Sequence, residues 1–174
     1  MNTEITVKSE KIFEGKLINL RVDTVELEKQ KYTKREIVEH RNAVAVLAIN
    51  EKGEILLVKQ FRKAVEDFLL ELPAGILNIA EVPVEGALRE LEEETGYKAK
   101  KIKQISEFYT SPGFTNEKIY LFKAEDLSMT STKFDEDECI ETIAVNKEEA
   151  KKMLEAGRIM DSKTLVGILH WINS

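Results

Sequence analysis

The chain of 174 residues has one cysteine (Cys139), two histidines (His40 and His170), one tryptophan and three prolines. A single cysteine excludes an intrachain disulfide. There is also no cleavable signal pattern and no apolar run approaching a membrane span, so a reducing, cytoplasmic location without a membrane partner is expected. Two histidines far apart in sequence argue against a zinc site of the usual His/Cys kind. No basic block or basic amphipathic stripe is present. Its 32 acidic and 26 basic residues are interspersed and sum to a net charge of -6, so a nucleic-acid partner is not expected. The acidity leaves room for an anionic small molecule, because a bound divalent cation reverses the local sign. Neither a Walker loop, nor G-x-G-x-x-G, nor H-E-x-x-H occurs.

The length suits one good core with a small appendage. Residues 17–28 and 35–40 are rich in β-branched residues, with the polar KQKYT between them, and read as a small antiparallel β unit spanning residues 1–41. The main domain is expected over 42–174. AVAVLAI (43–49) is apolar throughout and reads as a strand buried on both faces. The turn NEKG and then EILLVKQF (54–61) follow, so a hairpin is expected. FLLELPAG reads as a strand stopped at Pro73, since a residue before proline is held extended. Strand-like segments follow around 100–109 and 117–125, then a mobile polar loop over 128–138 and a strand over 140–145. Two helices are expected near the C-terminus, capped by Asn146 and Asp161. Strands with a few intervening helices make a mixed α/β architecture.

RELEEETG (89–96) places four glutamates in five residues at the end of an expected helix. At about 100° per residue, Val84, Ala87, Leu88 and Leu91 form the core stripe. Glu90 and Glu94 lie together on one flank with Glu93 nearby, while Glu92 points to the other flank and is expected to be solvated. Arg89 is four residues before Glu93 and can hold it, but is not expected to neutralise Glu90 and Glu94 as well. These carboxylates also face the negative end of the helix dipole, which costs roughly 0.3–1 kcal/mol per exposed charge. Gly96 suits a left-handed helix cap. By itself the cluster reads equally well as a solvated acidic face.

The preceding loop alters that balance. Gly75, Glu81, Arg89, Glu90, Leu91, Glu93, Glu94, Gly96 and Tyr97 fill every specified position of G-x5-E-x7-R-E-U-x-E-E-x-G-U, where U is bulky and apolar or aromatic. This resembles the signature of the Nudix hydrolases. The resemblance covers about residues 42–174 and implies an α/β/α sandwich with a mixed sheet that hydrolyses a nucleoside diphosphate linked to another group. Magnesium wants hard oxygen ligands and joins one or two carboxylates to substrate phosphates. The implied metal is therefore Mg2+, with Mn2+ as an alternative.

Features outside the box resemble the ADP-ribose pyrophosphatase branch of the family. They are SPG at 111–113 with Glu117 a few residues on, KQFR ending at Arg62, and the strand-rich N-terminal segment. The resemblance implies a homodimer that exchanges its N-terminal units and cleaves ADP-ribose to AMP and ribose 5-phosphate. It implies substrate contacts at Arg35, Glu36, Arg62 and Glu117, with Lys16, Leu17 and His40 less well specified. It assigns metal ligation to Glu90, Glu94 and the carbonyl of Ala74. Glu93, held by Arg89, is a further candidate at the catalytic centre. In FDEDEC, Glu136 is the expected base and Glu138 an additional ligand, and the two roles are interchangeable at this level. Other nucleoside diphosphate substrates, or binding of ADP-ribose without cleavage, are the alternatives.

Overall fold

The computed structural model describes residues 3–130 and 141–174. They divide into two compact units, Met1–Asn42 with Tyr109–Lys118, and Ala43–Phe108 with Ile119–Ser174.

The first unit is built on three ten-residue strands, β1 (Ile5–Glu14), β2 (Ile18–Leu27) and β3 (Lys31–His40), paired antiparallel in that order. Two strand-like segments are expected here, whereas the fold has three strands. KQKYT is not a linker. The turn occupies only Glu28–Gln30, where Lys29 and Gln30 take positive φ values of 59° and 56°, and Lys31 already begins β3. Polar side chains in this strand are tolerated because Lys31, Tyr32, Lys34, Arg35 and Glu36 are exposed, and the ladder is held by backbone bonds whatever the side chains.

The second unit is organised by β4 (Ala43–Ala48), buried at every residue. Successive side chains of a strand face opposite ways. Ala43, Ala45 and Leu47 enter one apolar cluster and Val44, Val46 and Ala48 another. Around β4 the chain adds β5 (Ile55–Arg62), β6 (Asp67–Glu71), β7 (Ala74–Ile76) and α1 (Pro83–Thr95). It continues with β8 (Tyr97–Tyr109), β9 (Lys118–Met129), β10 (Glu141–Val145), α2 (Lys147–Glu155) and α3 (Ser162–Ile172). The central sheet runs β7-β4-β9-β8 and is mixed, because β4 is antiparallel to β7 and parallel to β9. A second sheet runs β10-β5-β6, antiparallel throughout.

Ala87 and Leu91 of α1 close the cluster on one face of β4; Ala150 and Met153 of α2 and Ile168 and Trp171 of α3 close the other. This is the expected α/β/α sandwich. The expected hairpin between β4 and β5 is not formed. A tight turn is present, with Asn50 Oδ1 accepting from Lys52 N and Glu54 N and with Gly53 at φ 74°. Beyond it the two strands share only the isolated bridge Ile49–Ile55. Both edges of β4 are already taken by β7 and β9, so β5 leaves for the other sheet.

Leu91 is fully buried. Leu91→Ala is expected to lower stability by about 2–5 kcal/mol through the lost transfer energy and the cavity left behind, whereas Leu91→Met loses less than about 1.5 kcal/mol. Urea unfolding midpoints check both; equal losses in the two variants would contradict tight packing of α1 on β4.

Candidate active site

Helix α1 starts with Pro83 in its first turn and ends at Gly96, whose φ of 76° and N–H bond to the Glu92 carbonyl form a left-handed cap. Its core-facing stripe is wider than apolar spacing predicts. Glu90 and Glu94 are buried beside Ala87 and Leu91, at 9% and 7% exposure, while Glu93 is exposed. Two carboxylates on the covered side of a helix C-terminus call for compensation, since an ion removed from water without partners is costly.

Arg89 supplies much of it. Its Nε and Nη2 grip the two Glu81 oxygens at 2.8 and 2.9 Å, its Nη1 donates to Glu90 Oε1 at 2.7 Å and to Glu93 Oε2 at 2.8 Å, and Nη2 also reaches the Ile76 carbonyl at 3.3 Å. Arg89 thus neutralises Glu90 as well as Glu93, correcting the expectation that it serves Glu93 alone. For the buried Glu90 a charged hydrogen bond contributes about 1.5–3 kcal/mol, which outweighs a dipole penalty of at most about 1 kcal/mol, whereas the exposed Glu93 pair adds only about 0.3–0.5 kcal/mol. The Glu92 expectation is also corrected. Its carboxylate is half-buried, paired with Lys98 at 3.0 Å and bonded by Thr130 at 3.2 Å.

The turn before α1 is shaped to this carboxylate row. Ala74 N donates to Glu94 Oε2 at 2.9 Å. A Cβ on Gly75 would lie 2.1 Å from the Glu90 carboxyl carbon, so only glycine lets that carboxylate rest against the backbone here. Glu81 closes the turn by accepting from Asn78 N at 2.7 Å. The Arg89 bonds, with that N–H, hold the Glu81 carboxyl down to about 2, and Glu81 in turn raises Arg89 above its already high value.

Glu90, Glu94 and the Ala74 segment are therefore brought together, with Glu93 beside them through Arg89. Among the described residues no three His, Cys, Asp or Glu side chains are placed to hold an ion by themselves. The donors present are hard oxygens, and a carboxylate offers about four lone-pair sites, so holding one N–H does not use it up. Two such carboxylates suit an ion that keeps waters and takes its other oxygens from a substrate. Glu136 and Glu138 lie outside the described residues.

Arg62 is in this unit too, at the end of β5, but bound to Glu71 by Nε at 2.6 Å and Nη2 at 2.7 Å. Arg35, Glu36 and Glu117 belong to the other unit. Arg35 is paired with Glu4, at 3.0 Å from Nε, and Glu36 is exposed on the opposite face of β3. Glu117 accepts from Thr110 Oγ1 at 2.8 Å and lies 3.3 Å from His40 Nδ1. His40 also lines a shallow pocket with Lys16, Leu17, Asn19, Glu39 and Arg41. Sequence reasoning missed the Glu81–Arg89 fork and the Glu71 cluster. Glu81 was visible as a specified motif position, while Glu71 carries no local signal at all.

The chain belongs to the NUDIX domain family, whose model matches residues 39–163. Over 169 residues, 96% of the chain, it is 51% identical to the ADP-ribose pyrophosphatase of Bacillus subtilis (strain 168), covering 91% of that protein. It is 44% identical to the methanol dehydrogenase activator of Bacillus methanolicus over the same shares of the two chains. The crystal structure of an ADP compounds hydrolase superposes with a TM-score of 0.89 over 99% of this chain and 96% of that one, at 19% identity. This last likeness is one of fold.

The depressed Glu81 carboxyl sets a pH signature. Its ordinary value is 4.5, and about 2 in the folded chain, so its contribution to stability is complete above 4.5 and is lost as pH falls towards 2. Glu81→Gln is expected to melt below wild type at neutral pH, with the gap closing between pH 4.5 and 2. Thermal melts across that range test this; a gap independent of pH would remove the charge from the account.

Proposed function

We propose that the chain hydrolyses the pyrophosphate of ADP-ribose, or of a related ADP-sugar, giving AMP and, from ADP-ribose, ribose 5-phosphate, with Mg2+ or alternatively Mn2+ bound at the α1 carboxylates. The observation that carries this is the buried Glu90/Glu94 pair against the Ala74–Gly75 turn, Glu90 held by Arg89 and Glu94 by the Ala74 N–H. The similarity to the Bacillus subtilis enzyme supports the choice of substrate.

In the reaction a water oxygen forms a bond to one phosphorus, and the bridging P–O bond breaks with its electron pair going to the departing phosphate. Glu90, Glu94 and the Ala74 carbonyl would hold the metal, with Glu138 as a further ligand. When bound, the metal lowers the pKa of a bound water and offsets charge on the phosphate oxygens. The chain's own work is otherwise positional. Arg89 holds Glu90 and Glu93 in place, and Gly75 leaves room for the Glu90 carboxylate against the backbone. The Ala74 N–H holds Glu94 to the turn. The water's proton goes to a carboxylate, for which Glu136 is the proposed base.

The first unit is proposed to form the homodimer and to contribute Arg35, Glu36 and Glu117 to the nucleoside end of the substrate. Its support is the number of large apolar side chains left exposed on this unit, Ile5, Val7, Ile12, Phe13 and Tyr32 among them. No helix among the described residues is long and apolar enough to cross a membrane, and a cytoplasmic location is proposed with the rest. A second reading is favoured by the identity of 44% over 96% of the chain to a methanol dehydrogenase activator. On that reading the chain raises the turnover of a methanol dehydrogenase, which an assay with and without the purified chain decides.

Magnesium-dependent release of AMP from ADP-ribose by the purified chain is the direct test, run beside a panel of other nucleoside diphosphate compounds. Binding of ADP-ribose without AMP release would leave only a sensing role. Glu94→Gln is expected to lose two or more orders of magnitude in turnover with its melting temperature little changed; wild-type turnover would take Glu94 out of the site. Glu136→Gln should lower kcat with KM little affected, because proton transfer belongs to the transition state. A change confined to KM would make that residue a binding group.

A further inference from the structure

Glu71 ends β6 as a carboxylate whose side chain is 2% exposed. An ion buried that deeply persists only with close partners, and it has two cations. Arg62 meets it with two parallel bonds of 2.6 and 2.7 Å from Nε and Nη2. Lys163, in the first turn of α3, donates to Glu71 Oε2 and at 2.9 Å to Asp161 Oδ1. Burial pushes the Glu71 carboxyl up, but the Arg62 bond and the Lys163 charge overcome this and hold it below its ordinary value.

The cluster is continuous with the turn at the α1 carboxylates. Next to Glu71, Leu72 N donates to Thr164 Oγ1 at 2.7 Å, and Thr164 N and Oγ1 both donate to Asp161 Oδ2, at 2.9 and 2.5 Å. Two residues further on, Ala74 N holds Glu94. Arg62 is close enough to Glu94 and Asp161 for both charges to act on it. Its side chain is 40% exposed, and the Glu71 bonds leave from Nε and Nη2, so the Nη1 edge is presented for another acceptor. A well-packed apolar pair would serve stability as well as a buried ion pair. What the ion pair adds is direction, because the fork fixes the plane of the guanidinium.

We propose that Glu71, tied to α3 through Lys163, is a positioning residue that holds the Arg62 guanidinium ready for a phosphate oxygen of the substrate. This rests on the diphosphate substrate proposed above. It places the effect in binding, because a guanidinium already fixed does not have to be immobilised when substrate arrives. Freezing one long side chain corresponds to roughly a two- to tenfold change in affinity.

The test combines kcat and KM for ADP-ribose with calorimetric titration of ADP and thermal melts. Glu71→Gln is expected to raise KM roughly two- to tenfold with kcat within about twofold, and to weaken ADP binding in the same ratio. In an Arg62→Ala background it should add nothing further. Glu71→Gln/Lys163→Met removes the cation that glutamine would strand; it should recover the melting temperature and keep the raised KM, and it carries the test alone if Glu71→Gln does not fold. The proposal is overturned by an unchanged KM, by additivity with Arg62→Ala, or by KM recovering together with the melting temperature. If wild type releases no AMP, the reaction reading fails by itself and the ADP titration decides. The same weakening then supports the positioning role, and equal binding or no binding overturns it.

Discussion

The contact on which the site depends is the guanidinium of Arg89, shared among Glu81, Glu90 and Glu93. Without it, acidic side chains would crowd the end of a helix whose carbonyls already make it negative. With it, the buried Glu90 has a cationic partner, and the loop carrying Glu81 is drawn down on α1. One cation thereby fixes the helix end and the turn in front of it as a single object. Its five N–H donors in a planar fork explain why arginine, and not lysine, suits this place.

The opposite side of the turn is held by a different logic. Ala74 is tied to Glu94, Pro73 O accepts from Val46 N, Leu72 is bonded by Thr164, and Glu71 carries Arg62 and Lys163. Four consecutive residues are thus anchored in turn to α1, β4, α3 and β5. Such over-determination keeps the Glu94 carboxylate in one place, as a preorganised site requires. The C-terminal helix α3, remote in sequence from the glutamates, belongs to their support.

Much of this was legible in the residues alone. The helix over Glu90 to Gly96, its glycine cap, the caps at Asn146 and Asp161 and the doubly buried strand 43–48 each rest on a local rule of periodicity or backbone geometry. The misreadings share a cause as well. The hairpin expected between β4 and β5 failed because strand pairing depends on which edges are already occupied, and the segments that occupy them, β7 and β9, come later in the chain. β1 was missed because its residues are exposed along their whole length, so no burial pattern marks it. Glu92 is not solvated as expected, because helical angle says nothing of Lys98 and Thr130 beyond the helix end.

By itself the sequence determined where carboxylates, glycines and prolines stand relative to one another along the backbone, because short-range spacing and allowed dihedral angles act within a few residues. That sufficed for the acidic row and for its likeness to the Nudix signature. Helical spacing also places Glu93 within reach of Arg89, but the tertiary structure alone decided the charge pairs beyond one helical turn. Arg89 grips a residue eight positions back, Arg62 one nine positions on, and Lys163 one 92 positions away. Electrostatic partners are chosen by distance in space, and that distance exists only once the sheet has set the loops and helices side by side.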